Sequence, residues 1–482
     1  MPEPRRTAPS LPDTPVDAGT PVVLDSEARF LDRNLVTGGS PWRLLRLAGG
    51  SRAVAERWQQ GGVVGPGEGR FARTLITQGL LHPRPTGALE PDKVDVIIPV
   101  HEDAAPLRAL LAQLRGLHVV VVDDASRGHE LIEECCEEFG AALVRLAHNV
   151  GPGGARNAGL AATSRPLVWF IDADVSVDNA SYVLERLTAQ LEDPLVGAVA
   201  ARIRGGVGDS ARDRFERRFS PLDMGARSAL VVPRAPVSYV PAACLVARRS
   251  ALGDGFDPTL RVGEDVDLVW RLHDEGWLVR YVADVIVTHR ARGTWRDWWH
   301  QRTSYGASAG VLAARHGDRL APLRADVWTL VTWVSLAARR PAIALRVISV
   351  TRDALVTRLG PDTDRAGAVA SSLVVRTMGS SIGPSARAVV RTYGPLLAVA
   401  ALHPRLRRRA LALYALGTAW RWRHEPLRTR DVPLALADDV AYCVGVWRGA
   451  WRARSARAIT PQFVKPTIRL AHLVGARSLD DL

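Results

Sequence analysis

The stretch Leu167-Val168-Trp169-Phe170-Ile171-Asp172-Ala173-Asp174 constrains the chain most, because it runs a fully apolar strand into two carboxylates two residues apart. Side chains at i and i+2 share one face of a strand, so Asp172 and Asp174 are expected to reach one hard cation together. Mg2+ or Mn2+ takes oxygen ligands and commonly bridges to phosphates, which makes such a strand end a natural seat for a metal-diphosphate. Acids also punctuate many ordinary strands, and the surrounding pattern has to decide between the two readings.

From Lys93 the sequence alternates short apolar strands with helices. Val94 to Val100, His118 to Val122 and Ala142 to Leu146 read as strands, and Leu107 to Leu114 and Leu131 to Phe139 as helices. That alternation predicts a parallel sheet with its ligands at the carboxyl edge. His148 to Leu160 is a glycine-rich turn entering a helix. It lacks the Gly-x-Gly-x-x-Gly of a dinucleotide fold after strand one, and no Gly-Lys-Ser/Thr follows. Arg156 and Asn157 are expected at the start of that helix, where backbone N–H groups and a cation favour an anionic or sugar-hydroxyl ligand.

Further along, Val262 to Leu272 opens another helix, with Glu264 and Asp265 in its first turn, Leu268, Val269 and Leu272 as its apolar face and Gly276 closing it. Acids there also suit a plain helix start. Val282 to Thr288 reads as a strand ending in His289. Thr294 to Gly306 combines aromatic with polar side chains, including Trp295, Trp298, Gln301 and Arg302, a composition suited to stacking on sugar faces.

Four segments, Val96-Ile97-Ile98-Pro99-Val100, Val121 to Ser126, Asn149 with Gly151 to Asn157, and Phe170 to Asp174, occur in the order and rough spacing of family 2 glycosyltransferases with the GT-A fold, which the chain therefore resembles. The resemblance implies an α/β fold around a Rossmann-like sheet and an inverting, single-displacement reaction on a UDP-sugar in the presence of Mg2+ or Mn2+. It implies donor-substrate contacts from Pro99, Val100, Glu102, Asp123, Asp124, Asn149, Gly154, Arg156, Asn157, Asp172 and Asp174. Metal ligation falls to Asp174 and Asp172, with His289 as a further candidate. The base that deprotonates the acceptor hydroxyl maps to Asp265, with Glu264 beside it, and Trp295, Trp298, Gln301 and Arg302 are the acceptor candidates. Gln301 is present but not followed by the Arg-Trp pair of processive members, which argues against processivity on that ground.

The flanks divide the remaining chain into a disordered tail over 1–19, a small unit over 20–86, the catalytic domain over 93–310 and a helical region over 311–482. In the small unit, short strands at Val22 to Leu24, Phe30-Leu31 and Leu35-Val36 precede expected helices at Trp42 to Leu47, Val54 to Trp58 and Phe71 to Leu81, a winged-helix-like α+β arrangement. Gly49 to Glu56 and Leu75 to Leu81 resemble PqqD-like peptide-recognition domains, which implies a leader peptide added as an extra strand at a sheet edge. Together with the arginine-rich tail, this combination resembles the glycosyltransferases of mycofactocin systems, implying transfer of glucose, β-linked and repeated, to a peptide-derived cofactor precursor.

The net charge of +13, carried mostly by arginine late in the chain, suits an anionic partner. No run of the tail reaches the 18 to 20 or so uncharged apolar residues of a confident membrane span, so its helices are expected to lie on the inner face of an anionic membrane or to form a packed bundle. Cys135, Cys136, Cys244 and Cys443 show no zinc spacing and fit a reducing cytoplasm. A lipid or polysaccharide acceptor, and a non-catalytic peptide- or DNA-binding scaffold, are the competing readings. The scaffold has no use for Asp124, Asp172, Asp174 and Asp265 in register, and a nucleotidyltransferase would carry a glycine- and lysine-bearing loop where this chain has Pro99 to Asp103. Nucleic acid is not expected as a partner.

Overall fold

The structure is a computed structural model that describes residues 14–87, 90–206, 208–290, 293–423, 427–464 and 471–472. Most of the expected tail over 1–19 lies outside the described residues. The chain falls into two compact units, one drawn from residues 1–29, 36–291 and 472–482 and the other from 30–35 and 292–471.

The small N-terminal module comprises β1 (Pro21–Leu24), β2 (Arg29–Asp32), β3 (Leu35–Gly38), β4 (Arg43–Arg46), α1 (Ser51–Gln59), β5 (Gly62–Val63), α2 (Gly69–Thr77) and β6 (Leu81–Pro83). Strand β1 lies between β5 and β6, antiparallel to both. Helix α1 buries Val54, Ala55 and Trp58 on one face, and the Trp58 ring stacks on Phe71 of α2 at 5.6 Å. The structure corrects the sequence reading at two places. Residues 42–47 hold a strand rather than a helix, because two adjacent buried leucines, Leu44 and Leu45, fit either period in so short a run. The last helix stops at Thr77, where Gly79 takes the left-handed conformation and returns the chain as β6. The module therefore has two helices, not three.

The large sheet and its flanking helices comprise β7 (Val94–Val100), α3 (Ala104–Gln113), β8 (His118–Asp123), α4 (His129–Phe139), β9 (Ala142–Arg145), α5 (Gly151–Ala161), β10 (Leu167–Ile171), β11 (Val175–Ser176), α6 (Ala180–Ala189), β12 (Val196–Gly205), α7 (Ala211–Phe219), β13 (Ala229–Leu230), β14 (Cys244–Arg248), α8 (Arg249–Leu252), α9 (Glu264–Asp274) and β15 (Leu278–His289). The strand order is β11-β15-β12-β14-β10-β7-β8-β9, with β13 also on β15. Strands β9, β8, β7 and β10 are mutually parallel, as expected. The sheet as a whole is mixed, because β14 enters antiparallel between β10 and β12. Near-continuous burial of β7, β10, β12 and β14 explains why their sequences are apolar without alternation. The N-terminal module packs on this domain through Arg73, whose guanidinium holds Asp193 at 2.6 and 3.1 Å just before β12. That is the sheet edge remote from Asp172, since β12 and β10 run in the same direction on either side of β14.

The second unit contains α10 (Trp295–His316), β16 (Arg324–Asp326), α11 (Val327–Ala337), α12 (Pro341–Leu359), α13 (Ala366–Arg391), α14 (Gly394–Leu402), α15 (Pro404–Arg421), α16 (Val432–Arg452) and β17 (Gln462–Val464), the two strands pairing in parallel. Helices α10 and α16 meet backbone to backbone: Gly306 and Gly310 face Gly445 and Gly449, and a Cβ added at Gly310 would sit 2.2 Å from the Gly449 carbonyl. Among the described residues no helix is long and apolar enough to cross a membrane.

Candidate active site

The carboxyl ends of β7, β8 and β10 converge with the N-termini of α5 and α9, the place where an open α/β sheet holds its ligands. After β7 and β8, Glu102 and Ala125 both adopt left-handed backbone (φ 65° and 60°). The Glu102 N–H donates to Ser126 Oγ at 2.8 Å and the Arg127 N–H to Glu102 Oε1 at 3.2 Å, so the two loops brace each other. Backbone in that region is costly for residues other than glycine and gathers at functional sites.

Asp123 and Asp124 diverge. Asp123 is fully buried and accepts the Ser126 N–H at 2.9 Å, shaping the turn from beneath. Alternation along the strand turns its side chain into the domain, where Oδ2 has no hydrogen-bond partner among the described residues. Asp124 accepts the N–H groups of Val150 at 2.6 Å and Gly151 at 2.8 Å, which anchors the glycine-rich turn under β8. Gly151 sits at φ 84°, a conformation that admits glycine readily. Asn149 donates to the Asp124 carbonyl oxygen at 3.3 Å, and Arg261, which the sequence reading did not single out, bonds both the amide oxygen and the backbone oxygen of Asn149. Pro99 and Gly154 are half-buried and Val100 is buried at the same edge.

Arg156 is the strut of the site. Only 3% exposed, it donates to Glu264 Oε1 at 2.8 Å and to Asp172 Oδ1 at 2.6 Å, and its guanidinium lies 5.3 Å over Phe256. Burial alone would lower its pKa, but Asp172 and Glu264 outweigh that and hold it above the ordinary arginine value. Gly153 allows the approach of α5 to α9, a Cβ there falling 3.3 Å from Glu264 Cγ. Asn157 spends its amide on the backbone of Phe256, donating to its carbonyl at 2.7 Å and accepting its N–H at 2.8 Å. Arg156 and Asn157 thus position Asp172, Glu264 and the 256 loop, while Arg156 Nε has no hydrogen-bond partner among the described residues.

Asp172 and Asp174 lie in the turn after β10, not on the strand, and face different partners. Asp172 takes Arg156; Asp174 Oδ1 lies 3.2 Å from Nε2 of His289, the last residue of β15, while its backbone oxygen accepts the Arg290 N–H at 3.0 Å. Among the described residues no group of three or more His, Cys, Asp or Glu is arranged to hold a metal ion, so Asp172, Asp174 and His289 do not form a complete protein cage. A hard divalent ion is commonly held by one or two carboxylates plus the phosphates of its substrate, and the Asp174–His289 pair with Asp172 next to it fits that use.

The three acids of α9 are told apart by their partners. Glu264 is bound to Arg156, and Asp267 to Arg271 at 2.9 Å. Asp265 has no salt bridge among the described residues; its Oδ1 accepts only the neighbouring Val266 N–H at 2.7 Å. Burial first, then the charge of Glu264, push its carboxyl up to about 7, against the pull of Arg156. A carboxyl titrating near neutrality is matched to taking a proton from a hydroxyl.

The four acceptor candidates lie on α10 in the other unit. Trp298 and Arg302 are buried, the guanidinium stacked 5.1 Å over the indole and paired with Asp438 at 2.7 Å. Both side chains lie inside the packing of the helical unit. Gln301 accepts from Arg302 at 3.2 Å, and Trp295 is exposed.

The sequence profile described as "Glycosyl transferase family 2" matches residues 95–256. A relative from Mycobacterium tuberculosis (strain ATCC 25618 / H37Rv), "Pre-mycofactocin glycosyltransferase", is 36% identical over 95% of this chain and 99% of its own. "Probable glycosyltransferase YdaM" of Bacillus subtilis (strain 168) is 27% identical over 44% of this chain and 54% of its own. A solved mannosyltransferase from Pyrobaculum calidifontis, in complex with GDP-Man and Mn2+, overlaps 74% of this chain and 94% of its own at 16% identity and a TM-score of 0.37.

Proposed function

Because the chain belongs to glycosyl transferase family 2 and is a glycosyltransferase, we propose that it moves a hexose, glucose in β linkage and added repeatedly, from a UDP-sugar to the peptide-derived precursor of mycofactocin. The observation that carries the chemical part is Asp265: a carboxyl raised to about 7 at the first turn of α9, beside the Arg156 strut that ties this turn to Asp172. In this reading Asp124, Asn149, Pro99, Val100 and Glu102 border the nucleotide, and Arg156 fixes the spacing between the carboxylate at the diphosphate and the helix that bears the base. Asp265 accepts the proton of the acceptor hydroxyl as its oxygen attacks the anomeric carbon and the nucleoside diphosphate leaves from the opposite face, which inverts the centre. A divalent cation held by Asp174 and His289, with Asp172, would supply positive charge to the departing diphosphate.

The relative's name supports the acceptor assignment, since the similarity runs nearly end to end. The module over 20–86 is proposed as the peptide reader, acting as PqqD-like domains do, and the inner face of the cell membrane as the place of work. Incubating the full chain with the peptide-derived acceptor, Mn2+ and a panel of nucleotide sugars, followed by mass spectrometry, tests the reading: a hexose increment with one donor supports it, and increments only on a lipid or polysaccharide acceptor replace it with that competing reading. Removing the module should raise KM for a leader-bearing peptide more than for a short acceptor; equal losses make it a structural support for the sheet edge at Asp193.

A further inference from the structure

Helix α11 is inside out. Its buried residues are Thr329, Thr332 and Ser335, spaced at i, i+3 and i+6 on one face, while Val327, Trp328, Trp333, Val334 and Leu336 are exposed. A helix in water buries its apolar stripe and exposes its polar one; the reverse arrangement suits a surface whose outer medium is itself apolar. Thr332 donates to the Trp328 carbonyl of its own helix at 2.8 Å, and the indole N–H of Trp333 reaches Ser381 Oγ on α13 at 3.0 Å. Helix α14 gives a second, independent observation: Gly-Pro-Leu-Leu-Ala-Val-Ala-Ala-Leu contains no buried residue, and Val399 and Leu402 are 66% and 76% exposed. It leads directly into α15, whose first turns expose Arg405, Arg407, Arg408 and Arg409. Helices α11, α14 and α15 all pack on α13 and so belong to one bundle.

We propose that the outer faces of α11 and of the α14–α15 hairpin bind an anionic lipid bilayer, lying in its interface without crossing it. The apolar side chains enter the headgroup and acyl boundary, the indoles of Trp328 and Trp333 sit at the polar-apolar border, and the four arginines of α15 meet the lipid phosphates. Charge decides among possible occupants: a second copy of a chain carrying +13 would bring like charge against these arginines, whereas an anionic leaflet complements them. Among the described residues no helix is both long and apolar enough to cross, and the proposed mode is accordingly one-sided. The proposal stands on the second unit alone and needs no part of the acceptor assignment.

The test is flotation of the full chain with phosphatidylglycerol-rich vesicles and with pure phosphatidylcholine vesicles. The unaltered protein should float with the first and bind the second weakly. Changing Arg405, Arg407, Arg408 and Arg409 together to Gln should weaken binding to the anionic vesicles by at least ~10-fold and remove its salt dependence. The combined variant Val399→Asp with Leu402→Asp should abolish binding to both, with its thermal unfolding unchanged because neither side chain is buried. A folded wild-type chain that stays with neither vesicle overturns the proposal. So does equal binding by the Asp variant. A lipid-free dimer by light scattering that the Asp variant dissociates would instead assign the face to a second copy.

Discussion

Each compact unit buries a cluster of guanidinium and carboxylate groups, and the two clusters are unbalanced in opposite directions. In the catalytic unit a single cation, Arg156, serves Asp172 and Glu264 with Asp265 adjacent, so acids outnumber bases three to one. In the helical unit Arg302, Arg391 and Arg421 surround Asp438 and Asp439: Arg302 holds Asp438 at 2.7 Å, Arg391 bonds both aspartates, and Arg421 reaches Asp438 at 3.3 Å and Asp439 at 3.2 Å. The outcomes differ accordingly. Burial would raise Asp438, but the three arginines hold it below the ordinary carboxylate value. The surplus falls on Arg421, lowered to about 10 by burial and then by Arg391, which leaves it charged at neutral pH. The shortage in the catalytic unit falls on Asp265, which titrates at neutrality. Burial still raises Asp439 against the pull of Arg421 and Arg391, so the supply of cation separates Asp438 from Asp265 without setting every buried carboxyl in its cluster.

The comparison breaks most readily at Asp265. Asp265→Asn keeps size and hydrogen bonding but removes the proton acceptor, and should lower kcat by ~10²–10⁴-fold with donor-substrate affinity retained. The same variant should be more stable than the wild type above pH 7. The raised carboxyl favours the folded state below the unfolded pKa near 3.8 and loses that contribution as pH rises through about 7, whereas Asn stays neutral throughout. Thermal melts at pH 5 and pH 8 measure the difference, on the order of 1–3 kcal/mol at the higher pH. Near-normal turnover with a normal fold would return the first turn of α9 to a helix-capping role.

Next in size is removal of the cation on each side. Arg156→Met leaves Glu264 buried without a partner and the half-buried Asp172 without its ion pair, and should cost about 3–5 kcal/mol in urea unfolding. Arg421→Met should cost about 1–2 kcal/mol, because Arg302 and Arg391 still cover Asp438 and Arg391 still covers Asp439. Equal costs would remove the distinction between deficit and surplus. The smallest and sharpest effect concerns the pH profile. Wild-type kcat/KM should rise with pH to a plateau, with its inflection near 7. Glu264→Gln deletes the largest charge that raises Asp265 and lets Arg156 act on it more fully, so the inflection should move down by about one pH unit.

Much of this architecture was readable because it is local. β7, β8, β10 and the helix after the glycine-rich turn follow from runs of apolar residues and their punctuation, and the acids of α9 stood out at a helix start. What escaped is non-local. β14 lies antiparallel between β10 and β12, and nothing in Cys244 to Arg248 announces which neighbours it will take. Arg156 looks like an exposed anion ligand in sequence, yet its partners are 16 and 108 residues away, and only the folded chain shows that both are internal. Arg261 carries no motif at all; its clamp on Asn149 depends on the loop that precedes α9 meeting the turn that precedes α5. Trp298 and Arg302 read as a sugar platform because aromatic and polar neighbours are common to binding faces and to packed helix seams alike.

The glycine contact between α10 and α16 also sets an order of events. Residues 317–431 leave the seam at the end of α10 and return to it at the start of α16, so Gly306, Gly310, Gly445 and Gly449 can meet only after a long excursion has closed. Closure of a flexible loop becomes costlier by about 0.6 kcal/mol with each doubling of its length, so the seam forms late unless α11 to α15 have already collapsed and shortened the path. Helices α11 to α15 thus fold as an insert, and the two ends of that insert are held by four residues without side chains.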